Sequence, residues 1–528
     1  MPTCVRIAMA IWLANAVSAG DTDPTVLVME GPVRGSLLKP NGAVFRGIPF
    51  ASPPVGDLRW RPPVPGKSWT GVRDATAFGA PCAQNVGGWM LENSQEDCLY
   101  LNVWTSAWPP RSPLPVMFWI HGGGNYQGTA STANFDGESL ARHGVVVVTA
   151  NYRLTVFGFL AHQELTRESP HHASGNYGLM DQIAALEWVH HNISRFGGDP
   201  GNVTLFGQSA GAVDANVLMT SPLTRGLFHR VIAESGTVTR NPDAATLAMT
   251  ALGAVMTVKN GPVTYSDAPE LTEAERGGEA LLGASLNSLR ARNARDLLTV
   301  VSAPRKSIGP ANGVIVDGWV LPKSPADVFA SGKQQRIPLL IGNNSRERTP
   351  PETTPEEVTQ AIQAMYGPLA LRAMTLYAPA DAPDPLYGGR AAQWVVDTMY
   401  RCPVVGELIW HAAAANPGYE YQFDHAPPGR EALGAVHGAE VPYVFDVLRP
   451  GTKYTALDSE ISSLVERYWT NFALRGNPNG GQLPEWPKFD PSKRGYLEFT
   501  DHGAVARDRL RGTFCDLYIE NTKRLMGL

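Results

Sequence analysis

The chain lacks an excess of basic residues: 44 Lys and Arg stand against 49 Asp and Glu, for a net charge of -5. A nucleic-acid surface needs a basic stripe, so that class of partner is not expected. Cysteine is scarce, with five in 528 residues, and there is no Cys-x-x-Cys pair with histidines nearby. Structural metal sites are built on such spacings, so no metal site is expected. Internal repeats, charge blocks and low-complexity tracts are missing as well. Beyond residue 19 there is no run of 18 uninterrupted apolar residues, which argues against a membrane span.

Residues 1–19 read as a signal peptide. Arg6 supplies a thin positive start, and Ile7 to Val17 form an apolar stretch of about 11 residues, too short to span a bilayer. Val17-Ser18-Ala19 fits a small-residue cleavage site. A secreted or periplasmic protein is therefore expected, with residues 20–528 as one large catalytic domain. Cleavage would remove Cys4 and leave Cys82, Cys98, Cys402 and Cys515. An even count in an oxidising compartment suggests two disulfides, and four cysteines allow three connectivities. The short spacing favours Cys82 with Cys98.

What is present is a rhythm of apolar runs and helical segments. Leu99 to Trp104, Pro115 to Ile120, Val145 to Ala150, Val203 to Phe206, His229 to Glu234, Pro338 to Gly342 and Tyr419 to Phe423 read as strands. Several are unbroken Val/Ile/Leu runs, which mark strands buried on both faces. Between them, Asn176 to Phe196 carries Leu179, Ile183, Leu186 and Val189 at helical spacing. Helices are also expected after Ala212, in the Ala-rich and acidic stretch 240–310, at Ile461 to Ala473 and at Thr513 to Met526. This alternation implies an α/β fold with a mostly parallel central sheet flanked by helices.

Gly207-Gln208-Ser209-Ala210-Gly211 follows the strand at Val203 and precedes a helix. A serine hydroxyl is a poor nucleophile at neutral pH without a base, an orienting acid and a site for the developing oxyanion. A strand-to-helix turn with Gly-x-Ser-x-Gly exposes such a serine on a sharp bend. His121-Gly122-Gly123-Gly124 also follows a strand. Three glycines let the backbone approach a substrate and aim N–H groups at one point. The two motifs together point to acyl transfer.

The chain resembles the type-B carboxylesterase and cholinesterase family. The resemblance rests on Gly175-Asn176-Tyr177-Gly178-Leu179-Met180-Asp181-Gln182, Phe196-Gly197-Gly198-Asp199-Pro200, the serine motif, Glu96-Asp97-Cys98-Leu99-Tyr100-Leu101-Asn102, and Phe45-Arg46-Gly47-Ile48-Pro49-Phe50. It covers nearly all of residues 20–528 and implies an α/β-hydrolase fold that needs no metal or cofactor. It also implies roles by position: Ser209 as nucleophile, Glu347 as acid and His437, in Val436-His437-Gly438-Ala439-Glu440, as base. Gly123, Gly124 and Ala210 would donate the oxyanion-hole N–H groups, and Ser235 would support the acid. Arg46 and Glu96 would form an ion pair, and Cys82–Cys98 and Cys402–Cys515 would be the disulfides. The implied partner is a small-molecule ester, and nothing bears on oligomeric state.

Three departures from the family pattern bear on which ester. Gln208 stands where glutamate is usual. Arg346-Glu347-Arg348 replaces Asp-Glu-Gly. Asn125 follows the glycines where apolar residues are common. Each change makes the region more positive or more polar, which suits an ester carrying carboxylates rather than a cationic one. Bacterial fumonisin esterases, which release tricarballylate, are the members that the resemblance suggests for substrate. A general short-chain carboxylesterase or lipase is the alternative. A non-catalytic adhesion protein is the rival of another class, though such relatives usually lack part of the triad.

Overall fold

Alternate residues of the apolar runs separate onto the two faces of one sheet. In the strand Leu114–Ile120, Val116, Phe118 and Ile120 join one buried cluster, while Met117 and Trp119 join the other. Arg230–Glu234 divides the same way, with Val231 and Ala233 on one side and Ile232 on the other. This period of two follows from the pleat, and burial on both faces explains why the middles of these strands are apolar.

The computed structural model describes residues 23–87, 89–239, 268–283, 285–302, 313–348, 354–447 and 451–528. The expected signal peptide lies outside them, as does much of the stretch 240–310. In chain order the strands are β1 (Thr25–Val28), β2 (Gly31–Arg34), β3 (Ser36–Leu38), β4 (Gly42–Pro49), β5 (Arg73–Asp74), β6 (Asn85–Val86), β7 (Trp89–Met90), β8 (Tyr100–Thr105), β9 (Leu114–Ile120), β10 (Val146–Ala150), β11 (Gly198–Gln208), β12 (Arg230–Glu234), β13 (Leu339–Asn344), β14 (Gly418–Phe423), β15 (Gly495–Thr500) and β16 (Gly503–Asp508). The main sheet has eleven strands in the order β16-β15-β14-β13-β12-β11-β9-β10-β8-β4-β3. Its core from β10 to β15 is parallel, and antiparallel strands extend both edges. This is the α/β-hydrolase arrangement.

The expected elements are found with shifted ends. The helix expected over Asn176 to Phe196 runs as Tyr177–Asn192, then tightens into a 3-10 turn at Ile193–Phe196 that Gly197 ends in the left-handed region. β11 starts earlier than Val203 because Gly198 already pairs with Leu114 across a register shift. The helix after the serine starts at Ala210 rather than Ala212. In the described part of 268–302, helices form at Leu271–Leu282, Leu286–Ala291 and Ala294–Ser302. Among the described residues, no helix is long and apolar enough to cross a membrane.

Disulfides join Cys82 to Cys98 and Cys402 to Cys515. The expected ion pair between Arg46 and Glu96 does not form. Glu96 instead receives a fork from Arg59, at 2.7 Å and 2.5 Å, and Arg46 turns to Asp136 at 3.4 Å. Arg59 is the better partner because its remaining N–H groups also donate to the carbonyls of Leu289, Arg290 and Arg292, which satisfies a buried cation.

Candidate active site

The parallel strands place their carboxyl ends at one edge of the sheet, where ligands bind in open α/β folds. His121 follows β9, Ser209 follows β11, Ser235 follows β12 and Glu347 lies three residues beyond β13. His437 comes from the loop after β14.

Ser209 sits between β11 and the helix Ala210–Leu218 with φ +56° and ψ -121°. Such a backbone is rare outside glycine and is held by its surroundings. A Cβ on Gly207 would come within 2.7 Å of the Gly211 carbonyl, and one on Gly211 within 2.1 Å of the Ile120 oxygen. The flanking glycines are therefore required by contact. The Ser209 N–H donates to the Glu234 carbonyl at 2.8 Å, which ties the turn to the end of β12.

The His437 ring bridges two groups: its Nε2 lies 2.8 Å from Ser209 Oγ and its Nδ1 lies 2.6 Å from Glu347 Oε2. The second oxygen of Glu347 accepts from the Asn344 N–H at 2.8 Å, and the His437 N–H donates to the Glu347 carbonyl at 2.9 Å. Glu347 is buried at 1% exposure, so its charge is shielded from water and faces the imidazole. Behind it, burial pushes Glu234 well above the usual carboxylate range, and neighbouring Glu440 raises it further.

The glycine loop crosses directly in front of this turn. A Cβ on Gly122 would lie 3.1 Å from Ser209 Cβ, and one on Gly123 only 1.9 Å from the Gln127 oxygen. Among the described residues, no hydrogen bond within the protein engages the N–H groups of Gly123, Gly124 or Ala210. These donors remain available for a ligand oxygen.

The other expected site residues divide. Gln208 lies beside the histidine, with Nε2 3.3 Å from His437 Nε2. Arg348 is exposed, and its Nε donates to the Tyr400 hydroxyl at 3.2 Å. The Tyr400 ring in turn lies 5.4 Å from the His437 ring. Tyr400 beside it holds the Arg348 guanidinium above its ordinary value.

Three other expected residues make contacts within the protein's own framework or none. The Arg346 guanidinium donates to the carbonyls of Leu386, Ala432 and Pro385, joining the acid loop to its neighbours. Asn125 is buried, and its side chain meets Asp214 and Tyr152 rather than a ligand space. Ser235 is buried too, but its Oγ has no hydrogen-bond partner, and the acid is held by Asn344 instead.

Sequence reasoning missed three residues. Asn344 holds Glu347 with its backbone, and its side-chain amide reaches Glu440 and the Val436 carbonyl. Tyr400 lies in a π-helical turn, Asp397–Arg401, a rare geometry often found at functional sites. Arg401, fully buried, donates to the Ser345 carbonyl in the acid loop at 2.9 Å. A close reading of Asn343-Asn344 could have flagged the first, but nothing in the sequence signals the π turn. Among the described residues, no group of three His, Cys, Asp or Glu is placed to hold a metal ion.

Comparisons with known proteins give the family. The sequence profile described as "Carboxylesterase family" matches residues 22–518. The chain is similar to fumonisin B1 esterase of Sphingopyxis macrogoltabida, at 36% identity over 90% of this chain and 87% of that one. It is also 34% identical to carboxylesterase 1D of Rattus norvegicus, over 94% of this chain and 93% of that one. Among solved structures, Geobacillus stearothermophilus carboxylesterase EST55 superposes with a TM-score of 0.77 at 31% identity, covering 94% of this chain and 99% of the other. A PNB esterase gives 0.78 at 30%, covering 94% and 99%. The chain belongs to the carboxylesterase family and is a carboxylic-ester hydrolase.

Proposed function

We propose that the chain cleaves esters by two-step acyl transfer on Ser209. The observation that carries this reading is His437, which reaches Ser209 with one ring nitrogen and Glu347 with the other. His437 Nε2 takes the hydroxyl proton as Ser209 Oγ bonds to the ester carbonyl carbon, and Glu347 stabilises the resulting imidazolium. The N–H groups of Gly123, Gly124 and Ala210 receive the oxyanion. As the tetrahedral species collapses, the carbon–oxygen bond to the alcohol breaks and His437 gives that oxygen its proton. Water, activated by the same histidine, then attacks the acyl-enzyme, and Ser209 recovers its proton. A fluorophosphonate probe should label the wild type covalently and leave Ser209→Ala unlabelled. Equal labelling of both would sink this reading.

For substrate, the favoured reading is an ester carrying carboxylates, such as the tricarballylate esters of fumonisin. Its support is the exposed cation of Arg348 one aromatic ring away from His437, a neutral Gln208 beside that ring, and the similarity to fumonisin B1 esterase. Arg346, bound to carbonyls, adds nothing to it. The test compares tricarballylate release from fumonisin B1 with hydrolysis of a neutral short-chain ester. The expected result is preference for the anionic ester, lost in Arg348→Ala. No tricarballylate release would leave a general short-chain carboxylesterase, the reading favoured by similarity to carboxylesterase 1D. Export is proposed as well, supported by the expected leader at residues 1–19 and by two disulfides. Recovery of the protein outside the cytoplasm, beginning near residue 20, would test it.

A further inference from the structure

Behind the glycine loop lies a buried polar chain that the acyl-transfer mechanism does not use. Asp214, on the helix Ala210–Leu218, accepts from Gln182 Nε2 at 2.6 Å and lies 3.1 Å from the Asn125 amide. The other end of that amide lies 2.9 Å from the Tyr152 hydroxyl, which is also 2.8 Å from the His121 carbonyl. All five residues are buried.

The hydrogens in this chain can be counted. Tyr152 carries one hydroxyl proton, yet it faces the His121 carbonyl and, as drawn, the Asn125 carbonyl oxygen. It can donate to only one of them. The two ends of an amide have the same shape, so Asn125 can be turned over between Asp214 and Tyr152. Its NH2 then donates to Tyr152, and the Tyr152 proton goes to His121. The Asn125 oxygen now faces Asp214, and two bare oxygens repel unless the carboxyl carries a proton. With that proton in place, every contact has a donor and an acceptor.

We propose that Asp214 is a positioning residue: as a neutral carboxylic acid it donates to Asn125 and so fastens the His121–Asn125 loop to the helix that carries Ser209. This rests on the assignment of the loop's N–H groups to the oxyanion. The surroundings agree. Burial raises Asp214 to about 7, and the hydrogen bond from Gln182 offsets only part of that rise. The titratable groups around the chain supply no cation. His121, stacked on Tyr152 at 4.5 Å, is lowered by burial to about 4, and Tyr152 is raised well above its ordinary value. On the helix that carries Gln182, Asp181 is taken up in a fork with Arg153. Loss of the Asp214 proton leaves the chain one hydrogen short, and either His121 or Asn125 loses its donor.

The kcat for a neutral ester should therefore fall on the alkaline side with an apparent pKa near 7, while KM holds steady. Asp214→Asn can donate to Asn125 and accept from Gln182, so it should keep the neutral-pH rate within about two-fold and abolish the alkaline fall. Identical profiles for the wild type and Asp214→Asn overturn the positioning role. Difference infrared spectroscopy tests the proton without turnover. A protonated-carboxyl C=O band should be present in the wild type at acidic pH and missing from Asp214→Asn. Tyr152→Phe removes the excess acceptor demand, so that band should disappear at lower pH than in the wild type. A spectrum without the Asp214 band overturns the inference. Failure of Ser209 labelling would instead strike the acyl-transfer reading and leave the infrared result standing.

Discussion

Gln208 and His437 share a crowded corner. The Gln208 amide and the Ser209 hydroxyl both approach the same imidazole nitrogen, at 3.3 Å and 2.8 Å. Gln208→Glu would set a carboxylate there. An anion favours the protonated imidazole, so the acidic limb of the pH–rate profile should move up, by up to about one unit. Turnover of a carboxylate-bearing ester should fall more than that of a neutral one. Equal slowing of the two substrates, measured side by side, would contradict the charge reading. A second prediction separates Ser235 from Asn344. Ser235 Oγ bonds nothing, so Ser235→Ala should leave kcat within about two-fold. Asn344→Ala removes the tie from the acid loop to Val436 and Glu440, so kcat should drop about ten-fold, or about 1.4 kcal/mol, with KM little changed. The reverse order of effects would restore the role that the resemblance gave to Ser235.

Among the elements, legibility followed burial. Runs such as Val146–Ala150 could be read as strands because they are buried on both faces and are almost wholly apolar. The serine turn and the glycine loop could be read because their backbones leave no room for a Cβ. The support behind the acid loop could not be read, because it depends on residues far apart in sequence. Arg401 meets Ser345 from 56 positions away, and its guanidinium pairs with Asp397. Asp397 also accepts from Arg511 at 2.7 Å, beside the Cys402–Cys515 disulfide. No local pattern encodes such a meeting, and the π turn that makes it possible has no compositional mark. Arg401→Met should therefore cost about 3 kcal/mol of stability, since a buried carboxylate loses one of its two cations. Denaturant unfolding checks the stability. The same variant should lower kcat by letting the acid loop and Tyr400 drift.

Across the whole molecule, buried acids and buried histidines set the response to pH. Burial raises Asp214 and Glu407 to about 7 and Glu420 to about 8. The unfolded chain ionises these groups at the ordinary carboxylate value and the folded chain only later, so stability falls as pH rises from that value through 7 to 8. Burial lowers His121 and His411 from 6.5 to about 4, so their contribution runs the other way and is lost as pH falls from 6.5 through 4. The histidines oppose part of the acids' slope below 6.5 and none of it above. Thermal melting should show stability declining toward pH 8, with the histidines softening the slope only below pH 6.5. Glu407→Gln, which keeps an acceptor for Thr237 and Val238, should remove up to about 3 kcal/mol of the loss spread between pH 4.5 and 7, with about 1 kcal/mol or less of it above pH 6.5.

The contact between Gly211 and the Ile120 carbonyl has a consequence for how such an enzyme diversifies. The nucleophile's turn and the oxyanion loop press on each other with no space to give, so neither can drift in sequence without the other. The acid hangs on a loop beyond β13 that the side chains of Asn344, Arg346 and Arg401 tie to its neighbours, and Arg348 at its end is exposed. An arginine stands on each side of Glu347, and only Arg346 is taken up by carbonyls of the fold. A change of specificity is therefore expected at exposed Arg348, which can be replaced without disturbing the serine turn or the glycine loop.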